Sequence, residues 1–327
     1  MRTRVEFSTI VIFAFLHSAA YAAAQSWPTR PLTMVVPQAA GSAGDVVARI
    51  LAPHLSERLG QQVIVENIGG AGGMTGVSRV ASAQPDGYRF VLGHSGTHAI
   101  NQTLYKKPLY NAATDFSPVA LVAEVPFLVV ARKALPANNL REFIAYAKVH
   151  HATMRYGSGG VGSGVHLACA LLNSAIGVDV THIPYRGGGP AMQDLIAGLL
   201  DYQCTPPAVA ATHIENKSVK TIAILTKNRS SLLPGAASAH EQGLTNFEAT
   251  GWNAIFLPKE TPGPIVQKLH VAIVGTLETT AVQQQLKKIG LDTIEADRRS
   301  PEYVQKFVAS EIEKWAKAIK AANIALQ

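Results

Sequence analysis

The sequence predicts an α/β protein of two domains with a ligand cleft between them, and three observations carry that reading. Short β-rich runs alternate with longer amphipathic stretches, the pattern of parallel sheets covered by helices on both faces. The alternation begins again near Leu140, after an extended apolar stretch from Val119 to Val130 that Pro126 interrupts. The chain has 327 residues, which at about 150 per domain is enough for two units, each with its own core.

Leu32 to Val36 is the first strand. A helix follows from about Asp45 to Leu59, because Val47, Ile50, Leu51, Leu55 and Leu59 share one face and Gly60 can end it in a left-handed cap. Pro53 predicts a kink in that helix. Next come a strand from Val63 to Glu66, a glycine-rich turn from Gly69 to Gly73, a helix to about Ala83, and a strand from Tyr88 to Leu92 after the turn Pro85-Asp86-Gly87. Val119 to Val130 reads as a strand crossing to the second unit.

The second series runs through helix 140–149, strand 154–156, a Gly/Ser loop, helix 165–176, strand 181–185, helix 190–200 and strands 201–205 and 219–225. After Trp252 to Leu257 the chain turns helical to its end. There Val304, Phe307, Val308, Ile312, Trp315 and Ile319 form an apolar stripe suited to packing, opened by Ser300-Pro301. If these last helices return to the first unit, the domains are 25–124 with 250–327, and 125–249. Two crossings between them make a hinge beside a cleft.

Residues 1–24 read as a cleaved secretory signal: Arg2 and Arg4 precede the apolar run Ile10 to Leu16, and small residues end at Ala24. No later stretch supplies the roughly 18 uncharged residues of a membrane helix. The mature chain then holds 27 basic and 21 acidic residues, a net charge of +6 that favours anionic partners. The basic residues are scattered without aromatic interleaving, which argues against nucleic acid. Cys169 and Cys204 can pair in an oxidising compartment or stay as two buried thiols.

Three Gly/Ser loops sit between a strand and a helix: Ala40 to Asp45, Gly157 to Gly164, and Arg186 to Pro190; Gly69 to Gly73 has the same context. The first amides of a helix lack helical acceptors and carry partial positive charge, so an anion docks there, and glycine lets the backbone approach it. Asp45 reads either as the cap of its helix or as an acid for a ligand amine. His166 falls in the first helical turn, near a ligand or in a local packing role. Arg186 suits a carboxylate or an ordinary surface position. Gly157 to Gly162 matches the dinucleotide fingerprint in form, but the acid in the interval, Asp179, precedes the next strand instead of ending it. Neither a Gly-x-Ser-x-Gly elbow nor a phosphate-binding Gly-x-x-x-x-Gly-Lys-Ser/Thr loop occurs, and nothing points to catalysis or to a cofactor.

One further pattern joins these pieces. Trp27-Pro28-x-x-Pro31, Val36-Pro37-x-Ala39-Ala40-Gly41-x-x-x-Asp45, Val65-Glu66-Asn67 and Gly70-Ala71-Gly72-Gly73 are followed by Pro85-Asp86-Gly87-Tyr88 and Asp115-Phe116-Ser117-Pro118-Val119. Ser158-Gly159 with Ser163, His166-Leu167 and Pro184-Tyr185-Arg186-Gly187 complete the series. In this order the chain resembles, over nearly its whole mature length, the exported solute-binding proteins of tripartite tricarboxylate transporters, the Bug receptors.

The resemblance implies a two-domain clamp of the type II periplasmic binding-protein class. It would be a monomer and not an enzyme, closing on a small organic carboxylate and delivering it to membrane permease subunits. It implies a site at Gly41, Ser42, Ala43 and Asp45 with Ser95, Thr97 and Asn101 in the first domain. Ser158, Ser163, His166, Arg186, Gly187, Gly188 and Thr205 would face them from the second. Ser42 stands where the family often has a second glycine, and Cys204-Thr205 where it often has an acid; that loss shifts the expectation from amine-bearing ligands to amine-free carboxylates. An orphan sensor is the alternative within the same chemistry, and a secreted oxidoreductase or hydrolase the alternative outside it.

Overall fold

The computed structural model describes residues 27–327 apart from 228, 230–232, 246, 292–293, 322–323 and 327. The predicted signal segment, 1–24, lies outside the described residues. Two five-stranded sheets form the frame. In the first, β1 (Leu32–Val36) lies between β2 (Val63–Asn67) and β3 (Arg89–His94), and β10 (Thr250–Pro258) and β4 (Phe116–Pro126) complete it in the order β2-β1-β3-β10-β4. The second has the order β7-β6-β8-β5-β9, built from β5 (Leu128–Arg132), β6 (Arg155–Ser158), β7 (Thr181–Pro184), β8 (Tyr202–Thr205) and β9 (Val219–Ile224).

Both sheets are mixed, where the alternating pattern predicts parallel ones. β1 pairs in parallel with β2 and β3, and β6 with β7 and β8. β10 runs antiparallel to β3 and β4, and β5 antiparallel to β8 and β9. The cause is the path of the chain. β4 leaves the first sheet and β10 re-enters it, so neighbours on the outward and return journeys must run in opposite directions. The predicted crossing strand is accordingly two strands, β4 and β5, that meet at buried Phe127 and belong to different sheets. The return path is tied to the outward one, because the Leu225 amide donates to the Phe127 carbonyl and the Ala249 amide to the Leu225 carbonyl.

Helices follow the strands as local chemistry dictates. α1 (Ala43–Leu59) starts at Ser42, whose hydroxyl accepts from the Asp45 amide, and stops at Gly60 with φ +68°. It buries Val47, Leu51, Leu55 and Leu59 and stays one continuous helix through Pro53. α2 (Met74–Ala81) follows β2, and a π-helical turn at Gly96–Ile100 leads from β3 into α3 (Asn101–Leu104). In the second half, α4 (Leu140–His150) is capped by Asn139, α5 (Gly164–Ile176) by Ser163, and α6 (Gly188–Ile196) begins at Gly187. α7 (Pro207–Glu215) after β8 is a helix that sequence patterning misses. α8 (Gly263–Leu277), α9 (Thr280–Lys288) and α10 (Pro301–Ala321) follow β10.

The α10 stripe is a packing surface, with Val304, Val308, Trp315 and Ile319 buried in one cluster with Ile100, Leu104, Leu121 and Trp252 of the first half. Glu311 is buried there as an acceptor, taking both indole N–H groups, Trp252 at 2.9 Å and Trp315 at 3.1 Å. The helix therefore returns to the first sheet.

Cys169 of α5 and Cys204 of β8 form a disulfide that closes a loop of sequence separation 35. A closure of that size stabilises by about 2–4 kcal/mol, chiefly by restricting the unfolded chain. Cys169→Ser with Cys204→Ser should lower the unfolding free energy by about that amount in a denaturant titration. Adding reductant should then change nothing further in the double variant.

Candidate functional site

The carboxyl ends of parallel strands in both sheets face a common cleft of about 680 Å³. From the first half it is lined by Pro37, Gln38 and Ala39 after β1, by Gly69 to Gly73 after β2, and by His94 and Tyr105. From the second come Gly159, Gly160, Val161 and Ser163 after β6, and Tyr185 and Arg186 after β7. Ligands of open α/β sheets bind at such strand ends, where the chain diverges to opposite faces. A recess of about 50 Å³ shares Gln38, His94 and Ser163 and extends to Ala43, Ser95, Phe127 and Asn253.

The halves touch across this cleft with little room to spare. The Tyr105 hydroxyl donates to the Val161 carbonyl at 3.2 Å. A Cβ on Gly72 would stand 2.6 Å from the Val161 oxygen, and one on Gly162 would stand 2.4 Å from the Asn101 side-chain oxygen. Gly187 faces Ala39, whose Cβ would lie 3.3 Å from its own. Tyr105→Phe removes one cross-cleft hydrogen bond worth about 0.5–1.5 kcal/mol, so it should weaken ligand binding about threefold to tenfold in calorimetry. Its Tm should match that of the parent.

Two of the loops predicted to offer free amides instead engage part of their own. At α1, Ser42 is the N-cap, correcting the cap role considered for Asp45: the Ser42 hydroxyl accepts from the Asp45 amide, and the Asp45 carboxylate accepts from the Gly41 amide at 2.9 Å. At α5 the arrangement repeats with an imidazole. The Ser163 hydroxyl accepts from the His166 amide, and His166 Nδ1 accepts from the Gly162 amide at 3.3 Å. Both are capping boxes, with the third helical residue reaching back to the chain before the cap. Burial alone would raise the Asp45 carboxyl, but Arg49 at 3.0 Å and the Gly41 amide outweigh it and hold it below the usual carboxylate range.

α2 and α6 begin differently. Their N-caps, Gly73 and Gly187, offer no side chain to their first amides. At α2 the backbone itself takes up those amides, Met74 N–H donating to the Ala71 carbonyl and Thr75 N–H to the Gly70 carbonyl at 3.4 Å. The start of α6 keeps the partial positive charge that an anion meets. Arg186 precedes Gly187, is exposed, and is the one charged side chain among the described residues lining the cleft. No carboxylate offsets it there.

His94, absent from the sequence-based site, lines both the cleft and the recess. Its Nδ1 accepts from the Gly96 amide at 3.1 Å, which assigns the proton to Nε2, and burial lowers its pKa to about 4. Nε2 is buried without a partner among the described residues. His98, four residues on, has the spacing of a helical metal pair. Its ring instead stacks on Phe256 at 3.9 Å between centroids, and no group of three or more metal-ligating side chains occurs among the described residues.

The sequence-predicted residues therefore divide. Ser163 and Arg186 line the cleft, Ala43 and Ser95 the recess, and Gly187 and Gly188 open α6 at the contact with Ala39 and Gly159. Gly41, Ser42 and Asp45 build the α1 cap. Thr97 is buried with its hydroxyl on the His94 backbone, and Asn101 donates to the Gly72 carbonyl at 3.1 Å. The Ser158 hydroxyl bonds Gly160 and His182, and His166 stacks on His182. Thr205 is buried at the end of β8, with its hydroxyl unpartnered among the described residues. Gln38, Tyr105 and Tyr185 are lining residues that no motif singled out as ligand contacts.

Comparison with solved structures places this architecture. MatC from Rhodopseudomonas palustris with bound malate superposes with a TM-score of 0.87 at 36% identity, covering 90% of this chain and 100% of that one. The periplasmic binding protein BugD gives 0.88 at 37%, covering 92% and 100%. Rpa4515 of R. palustris with adipate gives 0.87 at 34%, covering 91% and 99%. The molecule is thus a two-domain periplasmic binding protein of α/β class, and a solute-binding receptor in place of an enzyme. Residues 47–324 match the model of the tripartite tricarboxylate transporter family receptor, and the chain belongs to that family.

Proposed function

We propose that this receptor captures a small, amine-free organic carboxylate between its two halves and delivers it to the permease subunits of a tripartite tricarboxylate transporter. One observation carries the ligand class. The cleft is bounded by the uncapped start of α6 and by Arg186 from the second half and by the Gly69–Gly73 loop from the first, with no acidic side chain among the described lining residues. An anion finds amide donors and a positive charge, while an amine finds no counter-charge. The malate and adipate held by two structural neighbours agree with that chemistry.

The lobes on this reading are 25–124 with 250–327 and 125–249, with β4 running two residues past the first boundary. The chain works as a monomer in the periplasm after cleavage near Ala24; no helix among the described residues is long and apolar enough to cross a membrane. Isothermal titration against malate, adipate, aspartate, arginine and a neutral sugar tests the ligand class. Heat is expected from the amine-free acids. Binding of the sugar or of arginine alone would overturn it. Delivery is tested by uptake of the bound carboxylate in cells with and without the permease genes.

A further inference from the structure

The capping boxes of α1 and α5 are equivalent in place but not in chemistry. Asp45 occupies the third helical position of one and His166 that of the other. The acid is held below the usual carboxylate range and keeps accepting from Gly41 as the solution becomes acidic. The imidazole accepts from the Gly162 amide only while Nδ1 is unprotonated.

His166 also lines a second cavity of about 840 Å³, which shares no lining residue with the ligand cleft. His166 and His182 line it together, their rings stacked with centroids 4.1 Å apart. His182 Nε2 lies 2.6 Å from the Ser158 hydroxyl, which also accepts from the Gly160 amide. The two rings thus hold the loop at Ser158, Gly160 and Gly162. One residue away, Val161 takes the cross-cleft hydrogen bond from Tyr105, and Gly162 itself abuts Asn101.

We propose that the stacked His166–His182 pair positions the Gly160–Ser163 corner for closure, so that protonating the pair opens the corner and releases the bound anion. This rests on the carboxylate-receptor reading above. A proton on His166 removes the acceptor for Gly162, and a second on His182 sets two like charges face to face. The other titratable groups facing the pair are Tyr156 of β6, Asp179 ahead of β7, and His151 after α4, with Tyr202 of β8 stacked on Tyr156. Asp179 is the only carboxylate among the described residues lining this cavity.

Burial lowers His166 to about 4, and burial with the neighbouring His166 lowers His182 to about 3. The closed form therefore favours neutral rings. Affinity should be full above the ordinary histidine range near pH 6.5 and lost as pH falls from there toward about 4. One linked proton gives about a tenfold loss per pH unit, two a steeper one.

The test is calorimetric titration with malate or adipate, whichever binds more tightly at pH 7.5, between pH 7.5 and 5, on the parent and on His166→Asn. The asparagine oxygen can still accept from Gly162 but does not titrate. His166→Asn should keep the pH 7.5 affinity within about threefold and lose most of the steep acid limb. Parallel pH profiles in the two proteins would overturn the proposal, and titration of the carboxylate itself cancels in that comparison. Should His166→Asn fail to fold, the imidazole nitrogens of the parent are followed by NMR. Ligand should delay protonation of His166 by at least about one pH unit, and coincident curves would overturn the proposal. Absence of any carboxylate binding at pH 7.5 would remove the receptor reading and this one with it.

Discussion

Gly72→Ala should cost at least about 2 kcal/mol of ligand affinity, roughly thirtyfold in Kd, while the protein stays folded. The added methyl would lie 2.6 Å from the Val161 carbonyl oxygen. That oxygen is backbone of the opposite half, so relief requires the halves to part. Within its own half the substitution costs the left-handed strain of φ +62°, about 1–2 kcal/mol, and small shifts of the Tyr105 hydroxyl and Asn101 amide, 3.2 and 3.3 Å from the new methyl, which together lower Tm by a few degrees in a chain of this size. Gly162→Ala meets the Asn101 side-chain oxygen at 2.4 Å from the other side, a clash that turning the side chain can partly relieve, so it should lose affinity in the same direction but by less. Calorimetry with thermal unfolding on both variants separates the closure effect from a folding effect. Unchanged affinity in both would show that the ligand-bound state does not bring these loops together.

Gly187→Asp should abolish measurable binding, with a loss of at least about a hundredfold, whereas Gly41→Asp should change affinity by no more than about threefold. The two loops look alike in sequence, and the structure separates them. Gly187 is the uncapped start of α6 beside Arg186, so an aspartate there offers its own carboxylate to the donors that the ligand needs. A like charge about 4 Å from the ligand costs about 4 kcal/mol at an effective dielectric of 20. The Gly41 amide is already held by Asp45, and a Cβ there meets nothing within 4 Å. Added salt should partly restore the Gly187 variant, because screening weakens the repulsion. Equal losses in both variants would place the ligand at the α1 corner.

Much of the fold was legible because it is written in local chemistry. Gly60 ends α1 where the sequence places it, and the run Leu32–Val36 is a strand with the bounds its composition suggests. Strand direction was not legible, since β10 and β5 carry the same apolar pattern whichever way they run. Their orientation comes from the two crossings. α7 escaped notice because Pro206-Pro207 and the alanines after it show no amphipathic period.

The site was legible as a set of corners and less so as a set of contacts. Arg186, Ser163 and the Gly187 turn announce themselves through charge and backbone freedom. Asp45 and His166 enter the expected site through the family resemblance and their place at the start of a helix. A capping box turns that side chain back onto its own loop, and the Ser-x-x-Asp spacing at Ser42 was the available signal. Gln38, His94 and Tyr105 reach the cleft through tertiary placement alone.

The central claim is that both halves close on one bound anion. A crystal structure of the protein with malate or adipate bound tests it most directly. The account predicts a carboxylate group within about 3 Å of the amides at Gly187–Gly188, with the rest of the ligand against the Gly69–Gly73 loop of the opposite half. A ligand held by one half alone, or seated in the His166–His182 cavity, would contradict it.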